Sequence, residues 1–173
     1  LPGLRLRGML CYDGGSQHVK GFETRRTQTL ERLVPATETY DLMQRSGLST
    51  EIFSGGGTGT YNIDHETRGL TDVQVGSYVF MDAQYLAIGG ATDDEVYSDF
   101  QTSLTVLTTV LNAQYEGGVT TDAGAKACTI NRPWPIARCP TLEPAPMSNL
   151  RKTAKNQATK KGLGGQGWSI ETE

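Results

Sequence analysis

The sequence predicts an α/β fold with parallel strands, and two observations support that prediction. A strand-like segment at 4–12 is followed by a long helical segment at 23–45 and by a second short strand at 50–54. This spacing is typical of a β-α-β unit, in which the strands are parallel and the crossover is right-handed. The 173 residues suffice for one ordinary domain with a hydrophobic core, or for part of a larger one.

The first strand and the helix follow from the hydrophobic pattern. The segment LRLRGMLCY at 4–12 alternates and then becomes apolar, whereas the apolar residues of 23–45 are interleaved with charges. Pro35 interrupts the helical run, so we expect either a kinked helix or two helical pieces. Gly47 is expected to end the helix.

The later elements are expected to be strands. TEIFS at 50–54 runs directly into glycine, and VGSYVFMD at 75–82 is rich in β-forming residues. The length of FQTSLTVLTTVLNAQ at 100–114 permits a helix, but its threonines and valines favour a long strand. Another short strand is expected near 118–121.

Composition and charge exclude several classes of protein. A net charge of −3 gives no electrostatic reason to expect a nucleic-acid partner. No apolar run approaches the roughly 20 residues of a membrane-spanning helix, so no membrane partner is expected. The three cysteines are widely spaced and the histidines number two, which excludes a disulfide framework, a zinc pattern and a His-rich metal site. We expect a cytoplasmic location.

The two ends of the chain differ from the rest in sequence pattern and composition. The first residue is Leu, directly before a strand-like segment, so we expect a fragment of a longer protein, with simple trimming as the alternative. Residues 137–173 are basic, with sparse apolar residues and no sustained period. We predict a poorly ordered or non-native tail there.

The glycine-rich stretch SGGGTGT at 54–60 is the strongest candidate for a binding site. Backbone N–H groups that no Cβ shields, beside Ser and Thr hydroxyls, can hold a phosphate. The stretch lacks the ending of a Walker loop, and Thr60 replaces the third glycine of a dinucleotide fingerprint. Gly76 and Ser77 could supply a second turn to the same phosphate. A tight strand-to-helix connection without a ligand is the alternative.

Four segments together resemble a known enzyme family: RGMLCYDGGSQ, SGGGTGTYNID, VQVGSYVFMDAQY and DFQTSLTVLTTVLN. They are similar to the D-threonine aldolase and D-serine dehydratase family, pyridoxal-phosphate enzymes with an alanine-racemase-like barrel followed by a β domain. The resemblance covers residues 4–135. It implies the C-terminal half of a (β/α)8 barrel at 1–98, the start of a β-rich domain at 99–136, and the unrelated tail at 137–173.

The resemblance implies a cofactor site for pyridoxal 5'-phosphate. Tyr12 matches the tyrosine that lines the cofactor ring, and Gln74 falls where related racemases place an arginine that faces the pyridine nitrogen. The remaining matches lie on the phosphate side, in two turns: Ser54, Gly56, Gly57, Thr58, Gly76 and Ser77.

The family's catalytic lysine and metal ligands have no match in this chain. The Schiff-base lysine of the family precedes the matched segments, and neither Lys20 nor Lys126 occupies its place. The motif that binds a divalent metal in the family is also missing. We therefore predict that this chain alone is inactive, with no catalytic and no metal-binding residues.

The resemblance implies a lyase that acts on β-hydroxy-D-amino acids. The first expectation is the D-threonine aldolase reaction, in which D-threonine yields glycine and acetaldehyde, in a complete enzyme that forms a homodimer. A D-serine or D-threo-3-hydroxyaspartate dehydratase is the alternative within the family. A non-catalytic module that binds a phosphate ligand is the alternative outside it.

Overall fold

The computed structural model describes residues 2–114, 119–124, 126–127, 136 and 169–170. The chain divides into two compact units, Leu1–Ser103 and Leu104–Glu173. In the described part of the chain, no helix has the length and apolar character that a membrane span requires.

The first unit is a three-stranded parallel sheet with one long helix packed against it. Strand β1 (Gly8–Cys11) pairs with β2 (Ile52–Gly55), and β2 pairs with β3 (Asp72–Val73), all in parallel. Helix α1 (Phe22–Arg45) connects β1 to β2, and the short helix α2 (Tyr61–Asp64) lies between β2 and β3. The α/β class and the β-α-β unit are therefore confirmed.

Helix α1 is continuous, so the expectation of two helical pieces is wrong. Pro35 lies inside it on the exposed side, where water can satisfy the carbonyl of Glu31 that loses its helix hydrogen bond. The helix ends as predicted: Gly47 follows it with a φ of 70°, and its N–H donates to the carbonyl of Gln44 at 3.1 Å.

The core of this unit lies between α1 and the sheet. Phe53 of β2 is fully buried and packs with Leu33 and Ala36 of α1. Because successive strand residues point to opposite faces, the neighbouring row of register partners Leu10, Ser54 and Asp72 faces away from the helix. The helix thus covers one face of the sheet, and polar side chains occupy the other near the strand ends.

The prediction of a strand at 75–82 is wrong. Strand β3 stops at Val73, and the chain then forms a short 3-10 helix (Ser77–Val79) and helix α3 (Ala83–Leu86). The carboxylate of Asp82 caps α3 by accepting the N–H groups of Gln84 and Tyr85, each at 2.9 Å. β-propensity alone does not make a strand, and the segment 75–82 pairs with no strand among the described residues.

Residues 99–103 also lie in the first unit. The ring of Phe100 packs against the rings of Tyr61 and Tyr78, and the carboxylate of Asp99 accepts a hydrogen bond from the Tyr61 hydroxyl at 2.9 Å. The N–H of Ser103 donates to the carbonyl of Phe80 at 3.0 Å.

The second unit contains a small antiparallel sheet. Its strands are β4 (Val110–Asn112), β5 (Val119–Thr121) and β6 (Ser169–Ile170), with β5 in the middle. The short strand expected at 118–121 is confirmed, whereas the long strand expected at 100–114 is reduced to β4. Of the tail at 137–173 only β6 is described, and it is a paired strand; the rest of that prediction lies outside the described residues.

Candidate functional site

The candidate site lies where the three parallel strands end. Tyr12 follows β1, the loop 56–60 follows β2, and Gln74 follows β3. The carboxyl ends of parallel strands meet at one edge of a sheet, which is where α/β folds bind ligands. The structure therefore brings the predicted residues of all three segments to the same edge.

The two predicted phosphate-side turns are joined by hydrogen bonds. The N–H of Gln74 donates to the carbonyls of Gly55 at 2.8 Å and Gly56 at 3.3 Å. The N–H of Tyr78 donates to the hydroxyl of Thr58 at 3.1 Å. The turn at 76–77 thus lies beside the glycine loop, as a shared ligand would require.

Glycine is needed in the loop because other atoms of the chain occupy the space that a Cβ would fill. Gly56 has a φ of 62°, and a Cβ there would overlap the carboxylate of Asp64. A Cβ on Gly57 would lie 2.6 Å from Oε1 of Gln17 and 3.2 Å from the ring of Tyr12. Contacts within the chain therefore explain these two glycines, for which the sequence left open both the approach of a phosphate and a tight connection without a ligand.

The backbone N–H groups of the two turns divide into two sets. Within the loop, Gly57 donates to the Thr60 hydroxyl at 3.3 Å, and Gly59 donates to Oε1 of Gln17 at 2.9 Å. A second set of N–H groups makes no hydrogen bond to any described residue: those of Gly56, Thr58, Gly76 and Ser77. Gly56 and Thr58 are buried residues, and unpaired amides at buried residues are uncommon. This second set is available to an anion.

A row of polar side chains lies beside the loop. The hydroxyl of Ser54 donates to Asp72 at 2.5 Å and accepts a hydrogen bond from the side-chain amide of Gln74 at 2.9 Å. Hydrogen bonds from Ser54 and Thr71 lower the pKa of the Asp72 carboxyl, which stays ionised. The one proton of the Ser54 hydroxyl is therefore already used within the protein.

Two tyrosines contact the loop. The ring of Tyr12, 48% exposed, lies against Gly57. The buried hydroxyl of Tyr97 donates to the carbonyl of Thr58 at 2.6 Å. Burial raises the pKa of Tyr97, so that its hydroxyl keeps the proton that it donates.

Comparisons with known proteins agree with this geometry. No protein-family profile matches the chain. It is 32% identical over 136 residues to a 3-hydroxy-D-aspartate aldolase from Paracoccus denitrificans, which covers 78% of this chain and 35% of the relative. It is 34% identical over 129 residues to a D-threonine aldolase from Arthrobacter, which covers 75% of this chain and 33% of the relative.

A solved structure gives the same result at the level of the fold. The crystal structure of D-threonine aldolase from Filomicrobium marinum matches 75% of this chain and 33% of its own length, with a TM-score of 0.63 and 32% identity. The chain is a homologue of D-threonine aldolase. It spans about a third of the length of the curated relatives it matches.

The D-threonine aldolase relatives include enzymes of two reaction types. Besides the aldolases, a D-threo-3-hydroxyaspartate dehydratase from Delftia is 28% identical over 131 residues. Aldolases and dehydratases of this group are lyases. The relatives therefore share the lyase class and differ in the reaction that their names give.

Lysines, possible metal ligands and a histidine are the other described residues that bear on a D-threonine aldolase site. Lys20 is exposed, just before α1, and Lys126 lies in the second unit. Within the described ranges no group of three or more His, Cys, Asp or Glu side chains lies close enough to hold a metal ion. The imidazole of His18 packs against the ring of Tyr85 with centroids 4.4 Å apart and the planes tilted by 44°, and desolvation lowers the His18 pKa.

Sequence reasoning missed the polar side chains beneath the loop. Gln17 and Asp64 are buried there beside Thr60, which belongs to the predicted loop, and Asp72 was not predicted beside Gln74. One signal was present, since Thr60 and Asp64 are four residues apart and so share a helix face. Nothing in the sequence marked Gln17, whose partners in the loop, Gly59 and Thr60, lie more than 40 residues away.

Proposed function

We propose that this chain is part of a pyridoxal-phosphate-dependent lyase that acts on β-hydroxy-D-amino acids. The proposed reaction is that of D-threonine aldolase, which breaks the Cα–Cβ bond of D-threonine to give glycine and acetaldehyde. In this proposal 1–98 is the C-terminal half of an alanine-racemase-type barrel, 99–136 begins a β-rich domain, and the complete enzyme is a cytoplasmic homodimer.

The observation behind this proposal is the set of unpaired amides on two adjoining turns. Four N–H groups without partners among the described residues can donate to the oxygens of a phosphate, as backbone nests do elsewhere. They belong to Gly56, Thr58, Gly76 and Ser77. The residues present thus fit the anionic end of the cofactor.

Other residues would meet the rest of the cofactor. Tyr12 offers an exposed ring edge beside Gly57. Gln74 presents a neutral amide, which would leave the pyridine nitrogen unprotonated and the ring a weaker electron sink. When bound, the cofactor supplies the electron sink for cleavage at Cα, and the protein orients it. The lysine that would anchor it and the divalent metal that would assist the β-hydroxyl are assigned to the complete enzyme.

The phosphate assignment can be tested at Gly76 with a matched pair of substitutions. A Cβ there meets no atom within 4 Å and φ, at −139°, is negative, so a side chain causes no clash. Gly76→Asp would place a negative charge beside the phosphate, whereas Gly76→Asn is nearly isosteric and neutral. We expect Asp to weaken binding of pyridoxal 5'-phosphate by about 10-fold or more, and Asn by less than about threefold. Equal dissociation constants for both variants would contradict the assignment.

The reaction itself can be tested with a chimera. The aligned third of the Filomicrobium marinum D-threonine aldolase is replaced by the matching residues of this chain, and the products from D-threonine are measured. Release of glycine and acetaldehyde in equal amounts supports the proposal. A folded chimera that binds pyridoxal 5'-phosphate but cleaves no β-hydroxy-D-amino acid would overturn it.

A dehydratase is the second candidate, because a dehydratase from Delftia is also among the relatives. Dehydration removes the α-proton and the β-hydroxyl and ends in ammonia and a keto acid. The same chimera, given D-threo-3-hydroxyaspartate, separates the two reactions by their products. A phosphate-binding module without catalysis would bind the cofactor in the Gly76 test and form neither set of products.

A further inference from the structure

Gln17 is the polar side chain that links two halves of the proposed cofactor site. It is 2% exposed and lies in the turn that follows Tyr12. Its side chain extends toward the glycine loop after β2, more than 40 residues away in sequence. A buried primary amide needs partners at both ends, and here both ends are satisfied.

The oxygen end of Gln17 holds the backbone of the loop. Oε1 accepts the N–H of Gly59 at 2.9 Å. A Cβ on Gly57 would lie 2.6 Å from this same oxygen, so Gln17 also fills the space that Gly57 leaves. The loop therefore packs on this side chain as well as bonding to it.

The nitrogen end joins the turn to the polar side chains beneath the loop. Nε2 donates to the Thr60 hydroxyl at 2.9 Å and to the carbonyl of Asp13 at 3.2 Å. The Thr60 hydroxyl in turn donates a hydrogen bond to the buried carboxyl group of Asp64 at 2.6 Å. The direction of each bond is thus fixed: Gln17 donates to Thr60, and Thr60 donates to Asp64.

We propose that Gln17 is a positioning residue, which fixes the turn carrying Tyr12 against the loop carrying the unpaired amides. This proposal rests on the proposed function, in which Tyr12 meets the cofactor ring and the loop meets its phosphate. The amide sets the separation of these two contacts without touching the cofactor. Its loss should affect a ligand that needs both contacts more than a ligand that needs one.

The test compares variants of the full chain with two probes. Gln17→Met keeps the length of the side chain and removes all three hydrogen bonds of the amide. Gln44→Met is the control on the exposed surface of α1. The dissociation constants of pyridoxal 5'-phosphate and of inorganic phosphate are measured, together with amide hydrogen exchange at Gly59 and along β2.

Gln17→Met is expected to raise the dissociation constant of pyridoxal 5'-phosphate at least about 10-fold and that of inorganic phosphate by a smaller factor. Exchange at Gly59 should accelerate while exchange in β2 is unchanged, which a general loss of stability would not produce. The control should match the wild type in every measurement. If Gln17→Met does not fold, Gln17→Asn, which keeps an amide too short to reach the loop, takes its place.

Two outcomes would overturn the proposal: unchanged exchange at Gly59, or equal weakening of both probes. Failure of the wild-type chain to bind pyridoxal 5'-phosphate would instead overturn the proposed function. The exchange measurement needs no cofactor, so the two failures can be told apart.

Discussion

At the scale of single residues, Gly56 combines an unusual backbone conformation with close packing. Its φ of 62° is one that residues with a side chain rarely adopt, and the carboxylate of Asp64 occupies the place of a Cβ. Gly47 shares the conformation, at a φ of 70°, but has no atom within 4 Å of that place. Comparing Gly56 with Gly47 therefore separates the effect of the backbone conformation from the effect of close packing.

We expect Gly47→Ala to lower the free energy of unfolding by about 1 kcal/mol, from the backbone conformation alone. Gly56→Ala should lower it by at least about 2 kcal/mol, because Asp64 must also move. Urea denaturation of both variants measures the difference. Equal losses would show that the contact with Asp64 has no energetic weight.

Asp64 gives a second prediction at this scale, which concerns pH. Burial raises the pKa of its carboxyl above the ordinary 3.8, and the hydrogen bond from Thr60 opposes that rise only in part. The folded chain therefore binds this proton more tightly than the unfolded chain does. Its contribution to stability is present at low pH and is lost as the pH rises from 3.8 through the raised pKa.

Asp64→Asn keeps an acceptor for Thr60 and cannot titrate. The free energy of unfolding of the wild type minus that of Asp64→Asn should therefore fall as the pH rises from about 4 to about 7. Several exposed carboxyls whose pKa is lowered have the opposite dependence, and the subtraction removes their effect. Urea titrations at a series of pH values measure this difference. A difference that is constant or rises with pH would contradict the prediction.

At the scale of secondary-structure elements, the packing of α1 on β2 holds the first unit together. Leu33 is 2% exposed in this contact, whereas Leu42 of the same helix is 58% exposed. We expect Leu33→Ala to lower the free energy of unfolding by about 2–5 kcal/mol. Leu42→Ala, which removes the same atoms from the surface, should change it by less than about 0.5 kcal/mol. Denaturant unfolding of both variants tests the contrast.

The elements differ in how far the sequence could predict them. The β-α-β unit was predictable because consecutive residues show its hydrophobic pattern and because glycines mark the ends of α1 and β2. The segment at 75–82 was not, because its strand-like composition says nothing about whether a sheet edge is free to pair with it. The same reason accounts for 100–114, where only β4 finds a partner.

The candidate site shows the same division. The glycine loop and Tyr12 could be recognised from consecutive residues. Gln17 could not, since its partners at Gly59 and Thr60 are brought near only by the parallel pairing of β1 with β2. Contacts between distant segments follow from topology, which no single stretch of sequence contains.

At the scale of the whole molecule, the chain holds about a third of the length of its relatives. We expect the chain alone, with pyridoxal 5'-phosphate and a divalent metal added, to release no glycine from D-threonine, because we assign the anchoring lysine and the metal ligands to the rest of the complete enzyme. The chimera described above is the positive control. A borohydride-stable adduct of the cofactor on a single lysine of this chain would contradict the expectation.

The hydrogen bond from the Tyr97 hydroxyl to the Thr58 carbonyl also sets an order of events during synthesis. The loop leaves the ribosome about 40 residues before its donor does, so it cannot reach its final conformation until that later segment has emerged. A nascent chain halted between the two would carry a finished β-α-β unit beneath a mobile loop. In ribosome-stalled chains of increasing length, the loop should therefore become resistant to protease only after Tyr97 has emerged from the ribosome.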